Sequence, residues 1–137
     1  MKVKRTFFYL LILIGFFSSC SKEQSSEPAI VGKWMSVSVY QEDNGQFNWL
    51  EAKGFHEFVT FQADARFSIF TDVPGGKGTY IYNGAARNIT LQYEDQAGNF
   101  TTAESRQVEQ ITPGKLVVAF FSPQGELVNK VEYARID

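Results

Sequence analysis

From residue 30 onward, the chain alternates short runs of Val, Ile, Phe, Tyr and Thr with Gly, Asn, Asp or Pro, about every ten residues. Apolar and β-branched runs closed by turn-forming residues predict antiparallel strands joined by hairpins. The predicted strands span residues 31–41, 55–63, 66–72, 77–83, 87–94, 99–110, 115–122 and 126–136. Eight strands are enough to close a small barrel. We therefore predict an all-β fold, a small antiparallel up-and-down β-barrel of about eight strands.

The alternation of side chains predicts which faces are buried. In residues 87–94, Ile89, Leu91 and Tyr93 share one face and polar residues share the other, as expected for a strand between core and solvent. Phe70 is an exception, because it falls on the polar face of its strand. Residues 116–121 do not alternate, which predicts burial on both faces or a cover from another segment.

Residues 42–54 fit no strand pattern and contain two aromatic residues, Phe47 and Trp49. We interpret this segment as a long first loop. Two roles stay open for it: a lid over the barrel mouth, or a loop that packs a side chain against the barrel wall.

The N-terminus has the three-part pattern of a secretory signal peptide: a basic start, an apolar run over residues 7–17, and small residues. As a helix, the apolar run would extend about 16 Å, roughly half of a ~30 Å hydrocarbon core. It is therefore too short to stay as a membrane span.

The end of this leader, Phe17-Ser18-Ser19-Cys20, resembles the lipobox of bacterial lipoproteins. The resemblance implies that Cys20 receives acyl chains and becomes the first residue of the mature protein, and more than one chain anchors a protein stably. By the same resemblance, Ser21 favours the outer membrane, at its periplasmic face or the cell surface. The alternative is a plain secreted protein with a spare thiol, which leaves unexplained why the single Cys lies at this junction.

The sequence thus divides into three parts. Residues 1–19 are the predicted signal peptide, residues 20–29 the lipidated cysteine and a tether, and residues 30–137 the barrel domain. The tether is polar and lacks hydrophobic periodicity, so we expect it to be flexible.

The charge pattern bears on possible partners. The net charge is −2, but three of the basic residues lie in the leader, and without them ten basic residues stand against fifteen acidic ones, a charge of −5. A domain without a basic stripe is a poor ligand for nucleic acid or anionic lipid. We expect membrane attachment through the lipid anchor alone, no nucleic-acid partner, and a monomer.

Residues suited to catalysis or metal binding are scarce. His56 is the single histidine, and Cys20 lies at the tether, so we predict no metal site, no cofactor and no catalytic residues. His56 is interpreted as a surface or rim residue. The run Gly75-Gly76-Lys77-Gly78 has the wrong spacing for a phosphate loop and is interpreted as a hairpin turn.

Near the start of the domain, Gly32-Lys33-Trp34 on the first predicted strand resembles the lipocalin-like domains of bacterial lipoproteins. In such barrels the Trp plugs the closed end and an Arg from the last strand crosses it. The resemblance implies that Trp34 and Arg135 form this structural pair.

Aromatic residues are abundant in the mature part, and several fall in phase with inward-facing neighbours. The candidate ligand-binding residues are Phe67, Ile69, Tyr80, Tyr82 and Tyr93. They could line a pocket or fill the core, since side chains can nearly fill an eight-stranded barrel.

These observations favour a non-enzymatic, membrane-anchored lipocalin-like lipoprotein that binds a small, partly apolar ligand. The alternative is an envelope interaction module that docks onto a protein or glycan through its outer surface. The sequence does not identify the ligand or the partner.

Overall fold

The computed structural model describes residues 29–54 and 56–137. The predicted signal peptide, Cys20 and most of the tether lie outside these residues. The strands are β1 (Gly32–Asp43), β2 (Gln46–Glu51), β3 (Phe58–Phe61), β4 (Arg66–Phe70), β5 (Pro74–Asn83), β6 (Asn88–Glu94), β7 (Phe100–Ile111), β8 (Lys115–Phe121) and β9 (Leu127–Arg135). Within the described ranges, no helix has the length and apolarity to cross a membrane.

The strands form one antiparallel sheet that closes on itself. From β3 to β9, consecutive strands pair with each other. Strand β1 pairs with β3 and also with β9. The result is a closed eight-stranded barrel, with β2 as an extra strand that pairs with the second half of β1. The predicted all-β barrel is confirmed.

The interpretation of residues 42–54 as a loop without strands is wrong. Asn44 and Gly45 have φ of 53° and 80°. Positive φ at both central residues is typical of the type I′ turn, whose twist matches a two-residue hairpin. The chain therefore reverses at Asn44-Gly45, and β2 pairs with β1 from Asp43↔Gln46 to Ser38↔Glu51.

The glycine-rich run at residues 75–78 is also not the predicted hairpin turn, because it belongs to β5. The reversal between β4 and β5 occurs earlier, where Thr71 N donates to Val73 O at 3.1 Å. A Cβ at Gly78 would overlap the carbonyl of Gln92 on β6. Glycine is thus required by the close approach of β5 and β6 rather than by a turn.

Side chains fill the core of the barrel. The fully buried residues include Trp34, Ile89, Leu91, Leu116 and Tyr133. Where Val59, Phe61, Ile89, Arg106, Leu116, Val118 and Tyr133 meet, the gap has no volume for a water-sized sphere.

On β8, Val117 and Ala119 point away from the barrel axis but are buried, so the predicted burial of both faces is confirmed for residues 116–119, whereas Phe121 is 50 % exposed. Two ion pairs lie beside these residues: Lys130 on β9 with Glu109 on β7 at 2.7 Å, and Lys115 on β8 with Glu132 on β9 at 2.9 Å. The aliphatic parts of such long side chains cover apolar surface while their charged ends stay in water.

Candidate functional site

At one end of the barrel the structure brings Trp34 and Arg135 together. They are opposite each other in the β1–β9 register, and the Arg135 guanidinium carbon lies 4.4 Å from the ring centroid of Trp34. Arg135 also donates to the carbonyls of Val31, Ala29 and Pro113 at 2.7, 3.0 and 2.6 Å. This end of the barrel is closed by a buried ring and by a guanidinium that donates to three backbone carbonyls.

Gly32 allows this arrangement. Its φ is +144°, and an added Cβ would overlap the guanidinium of Arg135. The glycine of the Gly-x-Trp pattern is therefore explained by the arginine that crosses the tryptophan.

The five candidate ligand-binding residues lie in or against the packed interior. Phe67, Ile69 and Tyr80 are buried, and Tyr82 and Tyr93 pack against the core while partly exposed. Phe67 contacts Tyr93 edge to face with centroids 5.2 Å apart, and the Tyr80 hydroxyl donates to Gln62 O at 2.8 Å. Most of their surface is used in packing.

One cavity opens at the other end of the barrel, and we call it the mouth cavity. Its volume is about 360 Å³. The described residues that line it are Ser36, Val39, Gln41, Ala52, Glu57, Arg106, Phe120, Asn129, Val131 and Tyr133. None of the five candidate residues is among them.

Arg106 forms the floor of the mouth cavity. It is only 5 % exposed, its Nε lies 2.8 Å from Glu104 Oε1, and its Nη1 lies 3.7 Å from Glu57 Oε1. The guanidinium stacks 4.8 Å from the ring centroid of Phe120. Burial by itself lowers the pKa of Arg106, but the oxygens of Tyr133, Glu104 and Glu57 around it more than compensate, so its pKa lies above the ordinary value.

Two tyrosines complete this cluster. Tyr133 donates to Glu57 Oε1 at 2.6 Å, and Tyr93 donates to Glu104 Oε2 at 2.8 Å. Burial raises the pKa of Tyr93 to about 12. Burial likewise raises the pKa of Tyr133 well above its usual range, against the lowering effect of Arg106. Both hydroxyls therefore remain protonated donors at neutral pH.

Asn129 supplies a polar atom without a partner. Its Oδ1 is buried and has no hydrogen bond among the described residues. A buried acceptor left unpaired costs about 1–3 kcal/mol. Because this oxygen is buried, Asn129 lines the mouth cavity with its other atoms.

The position of Glu57 is set by Ser36 on β1. Ser36 Oγ accepts from Glu57 N at 2.8 Å, and Ser36 N donates to Glu57 O at 2.9 Å. His56 Nδ1 lies 2.8 Å from Ser36 O. The register of β1 against β9 shifts between Ser36 and Ser38, and β-bulges commonly redirect side chains in this way. His56 therefore sits beside the cavity and positions the segment that carries Glu57.

A second cavity, of about 390 Å³, lies beside the β4–β5 hairpin. It is lined by Ser68, Ile69, Phe70, Pro74, Gly76, Lys77, Glu94, Asp95 and Gln96. It contains one of the five candidate residues, Ile69, and lacks a buried ion cluster like that of the mouth cavity.

Outside the barrel, three rings form what we call the aromatic surface. Tyr40 stacks on Phe47 with centroids 5.5 Å apart and contacts Trp49 at 5.3 Å. Phe47 is 40 % and Trp49 46 % exposed. Both lie on β2, which has a single strand partner in the described part of the chain.

Sequence reasoning did not single out Arg106, Glu104, Glu57 or Asn129 as site residues. A signal was present on β7, where Glu104 and Arg106 are opposite the inward-facing residues Leu91 and Ile89. Charged residues are rarely buried unless they are paired. Two charged residues of opposite sign at successive inward-facing positions of one strand therefore indicate an internal ion pair.

Among the described residues, no group of three or more His, Cys, Asp or Glu side chains could hold a metal ion. No protein-family model matches the chain, and no curated protein matches it. The chain is similar to a protein from Bacteroides uniformis ATCC 8492 solved by NMR, with 22% sequence identity and a TM-score of 0.45. That alignment covers 78% of this chain and 91% of the other.

Proposed function

We propose that this protein is a membrane-anchored, lipocalin-like lipoprotein that binds a small, partly apolar ligand in the mouth cavity. The observation that carries the proposal is the cavity itself: about 360 Å³ is within the range of small-molecule sites. Such sites combine apolar walls with a few fixed polar groups. Here Val39, Val131 and Phe120 supply the walls, and Asn129 and Glu57 supply polar groups.

The position of the N-terminal end of the domain fits this role. Ala29, the first described residue, contacts Arg135 at the closed end. From there β1 extends toward the mouth, where Val39 and Gln41 line the cavity. If Cys20 carries the anchor, the closed end lies nearer the membrane and the cavity opens away from it, toward dissolved ligand.

Ligand binding is tested by native mass spectrometry of the wild type and two variants, each extracted gently from the envelope. The wild type should carry an additional small-molecule mass. Val131→Trp, which fills the cavity with a larger side chain, should lose that mass, while Val128→Trp on the exposed side of the same strand should keep it. Wild-type protein without any bound mass, or the same mass in Val131→Trp, would contradict the proposal.

The anchor is tested separately with Cys20→Ser, which removes the thiol that acylation requires. We expect the variant to lose the mass of the acyl chains and to move from the detergent phase to the aqueous phase, because the domain itself is acidic and polar. Ser26→Ala in the tether is the matched control. Unchanged mass and partitioning in Cys20→Ser would overturn the anchor.

A second candidate function is docking of an envelope protein onto β2, and the aromatic surface favours it. The free edge of β2 offers backbone donors and acceptors, and extended peptides commonly add to such edges. This geometry suits a protein segment better than a glycan. A crosslinked partner captured by the wild type and by Phe121→Ala, but not by Trp49→Ala, would support it, and equal capture by all three would contradict it.

A further inference from the structure

A buried arginine in a β-barrel invites the expectation of an anionic ligand, but Arg106 is already neutralised. Glu104 and Glu57 both approach its guanidinium, at 2.8 and 3.7 Å. One cation and two carboxylates give the cluster a formal charge of −1. A further anion in the mouth cavity would meet net negative charge in a partly desolvated site, where charge interactions are stronger than in water.

The hydrogen bonds of the cluster also disfavour an anionic ligand. The hydroxyls of Tyr133 and Tyr93 donate to Glu57 and Glu104, so these donors are committed. Each carboxylate oxygen can also accept more than one hydrogen bond. A ligand head group that donates would satisfy these atoms, whereas a carboxylate would add acceptors.

We propose that the mouth cavity selects small amphiphiles with a cationic, hydrogen-bond-donating head, of the primary ammonium class, and disfavours carboxylates. The ammonium hydrogens bond the Glu57 carboxylate, whose side chain is partly exposed, and the apolar part of the ligand packs against Val39, Val131 and Phe120. This selection rests on the proposed ligand-binding function and specifies its chemical class.

The test uses three probes with the same chain: octylammonium, octanol and octanoate, titrated calorimetrically into the full-length protein at neutral pH. Amide chemical shifts of Val39, Asn129 and Val131 report whether each probe binds in the mouth cavity. We expect octylammonium to bind at least about tenfold more tightly than octanoate, with octanol between them. Octanoate binding as tightly as octylammonium, or more tightly, would overturn the charge selection while leaving ligand binding intact. If none of the probes shifts these amides, both the selection and the proposed function fail.

A charge variant adds an independent measurement. Glu57→Gln removes the excess negative charge and should reduce the preference for octylammonium over octanoate by about tenfold. Glu132→Gln is the matched control, because Glu132 lies on the outer face of β9 and pairs with Lys115. An unchanged preference in Glu57→Gln, or an equal reduction in Glu132→Gln, would contradict the selection. The ranking of probes by the wild type does not depend on whether the variant folds.

Discussion

The Tyr133 hydroxyl donates a 2.6 Å hydrogen bond to Glu57 Oε1, across 76 positions of the chain. This bond joins the last strand of the barrel to the segment that precedes β3. Since β9 pairs with β1 to close the barrel, the bond links barrel closure to the charged cluster of the mouth cavity. We therefore expect stability and the proposed ligand recognition to be coupled at Glu57.

Replacing Tyr133 by Phe removes the donor but keeps the ring in the core. Hydrogen bonds to charged groups contribute about 1.5–3 kcal/mol, so we expect the free energy of unfolding to fall by about that amount, measured by urea denaturation. Tyr40→Phe is the control, because Tyr40 lies on the outer surface and contacts its neighbours through its ring. Equal losses in both variants would argue against a special role for the bond to Glu57.

The raised pKa values of Tyr93 and Tyr133 predict an alkaline loss of stability. The unfolded chain has tyrosine pKa values near 10, whereas that of Tyr93 in the fold is about 12 and that of Tyr133 is also raised. The folded state therefore retains these protons more tightly. Their stabilising contribution is complete below pH about 10 and is lost as the pH rises through the folded values.

This pH dependence is measured by urea unfolding at increasing pH. The wild type should lose more stability than Tyr93→Phe between pH about 10 and about 12, because the variant lacks one of the groups that titrate late. Tyr82→Phe provides a tyrosine variant that leaves the cluster intact. Parallel curves for the wild type and Tyr93→Phe would refute the assignment.

Substituting Gly32 by Ala should disturb the closed end of the barrel. The φ of +144° is unfavourable for Ala, and the new Cβ would displace the Arg135 guanidinium from its position over Trp34. We expect a loss of about 1–3 kcal/mol in the free energy of unfolding. Gly114→Ala is the control because its Cβ would meet nothing within 4 Å and its φ is not positive. A stable Gly32→Ala would show that Arg135 is not held as tightly as its hydrogen bonds indicate.

Strand β2 should be able to detach from the barrel without unfolding it. Replacing Asn44 and Gly45 by Ala places two ordinary residues at positive φ, at a cost of about 1–2 kcal/mol per residue. Amide hydrogen exchange should accelerate at Phe47 and Trp49 but not at Leu91 in the core. Gly84→Ala, in the β5–β6 turn, should leave β2 protected. Equal acceleration at Leu91 would contradict the view of β2 as an appendage.

The barrel was predictable because its strands separate a dry face from a wet one. On β6, for example, Ile89 and Leu91 are buried and Gln92 is exposed, so apolar and polar residues alternate in the sequence as buried and exposed side chains alternate in the strand. Strand β2 reverses this pattern: Phe47 and Trp49 point outward beside Tyr40, and Asn48 lies on the same face as Gln41. Because β2 extends beyond the closed part of the barrel, its inner face is not a core, and hydrophobicity alone did not indicate it.

The residue pair at the closed end could be predicted from the sequence, whereas the charged cluster at the mouth could not. Trp34 and Arg135 lie near the ends of the domain, and a resemblance in pattern sufficed to suggest them as a pair. Glu57 could not be assigned to Arg106 in the same way, because 49 positions separate them and their approach depends on the irregular segment before β3. Asn129 becomes notable only through the absence of a partner within the described structure.

Amide chemical shifts decide whether the barrel receives a small ligand through its mouth. Spectra of the protein with its co-purified ligand are compared with spectra after the ligand is extracted. We expect differences concentrated at Val39, Phe120, Asn129 and Val131. Differences confined to Tyr40, Phe47 and Trp49, with the mouth residues unchanged, would contradict it and would instead favour the outer aromatic surface.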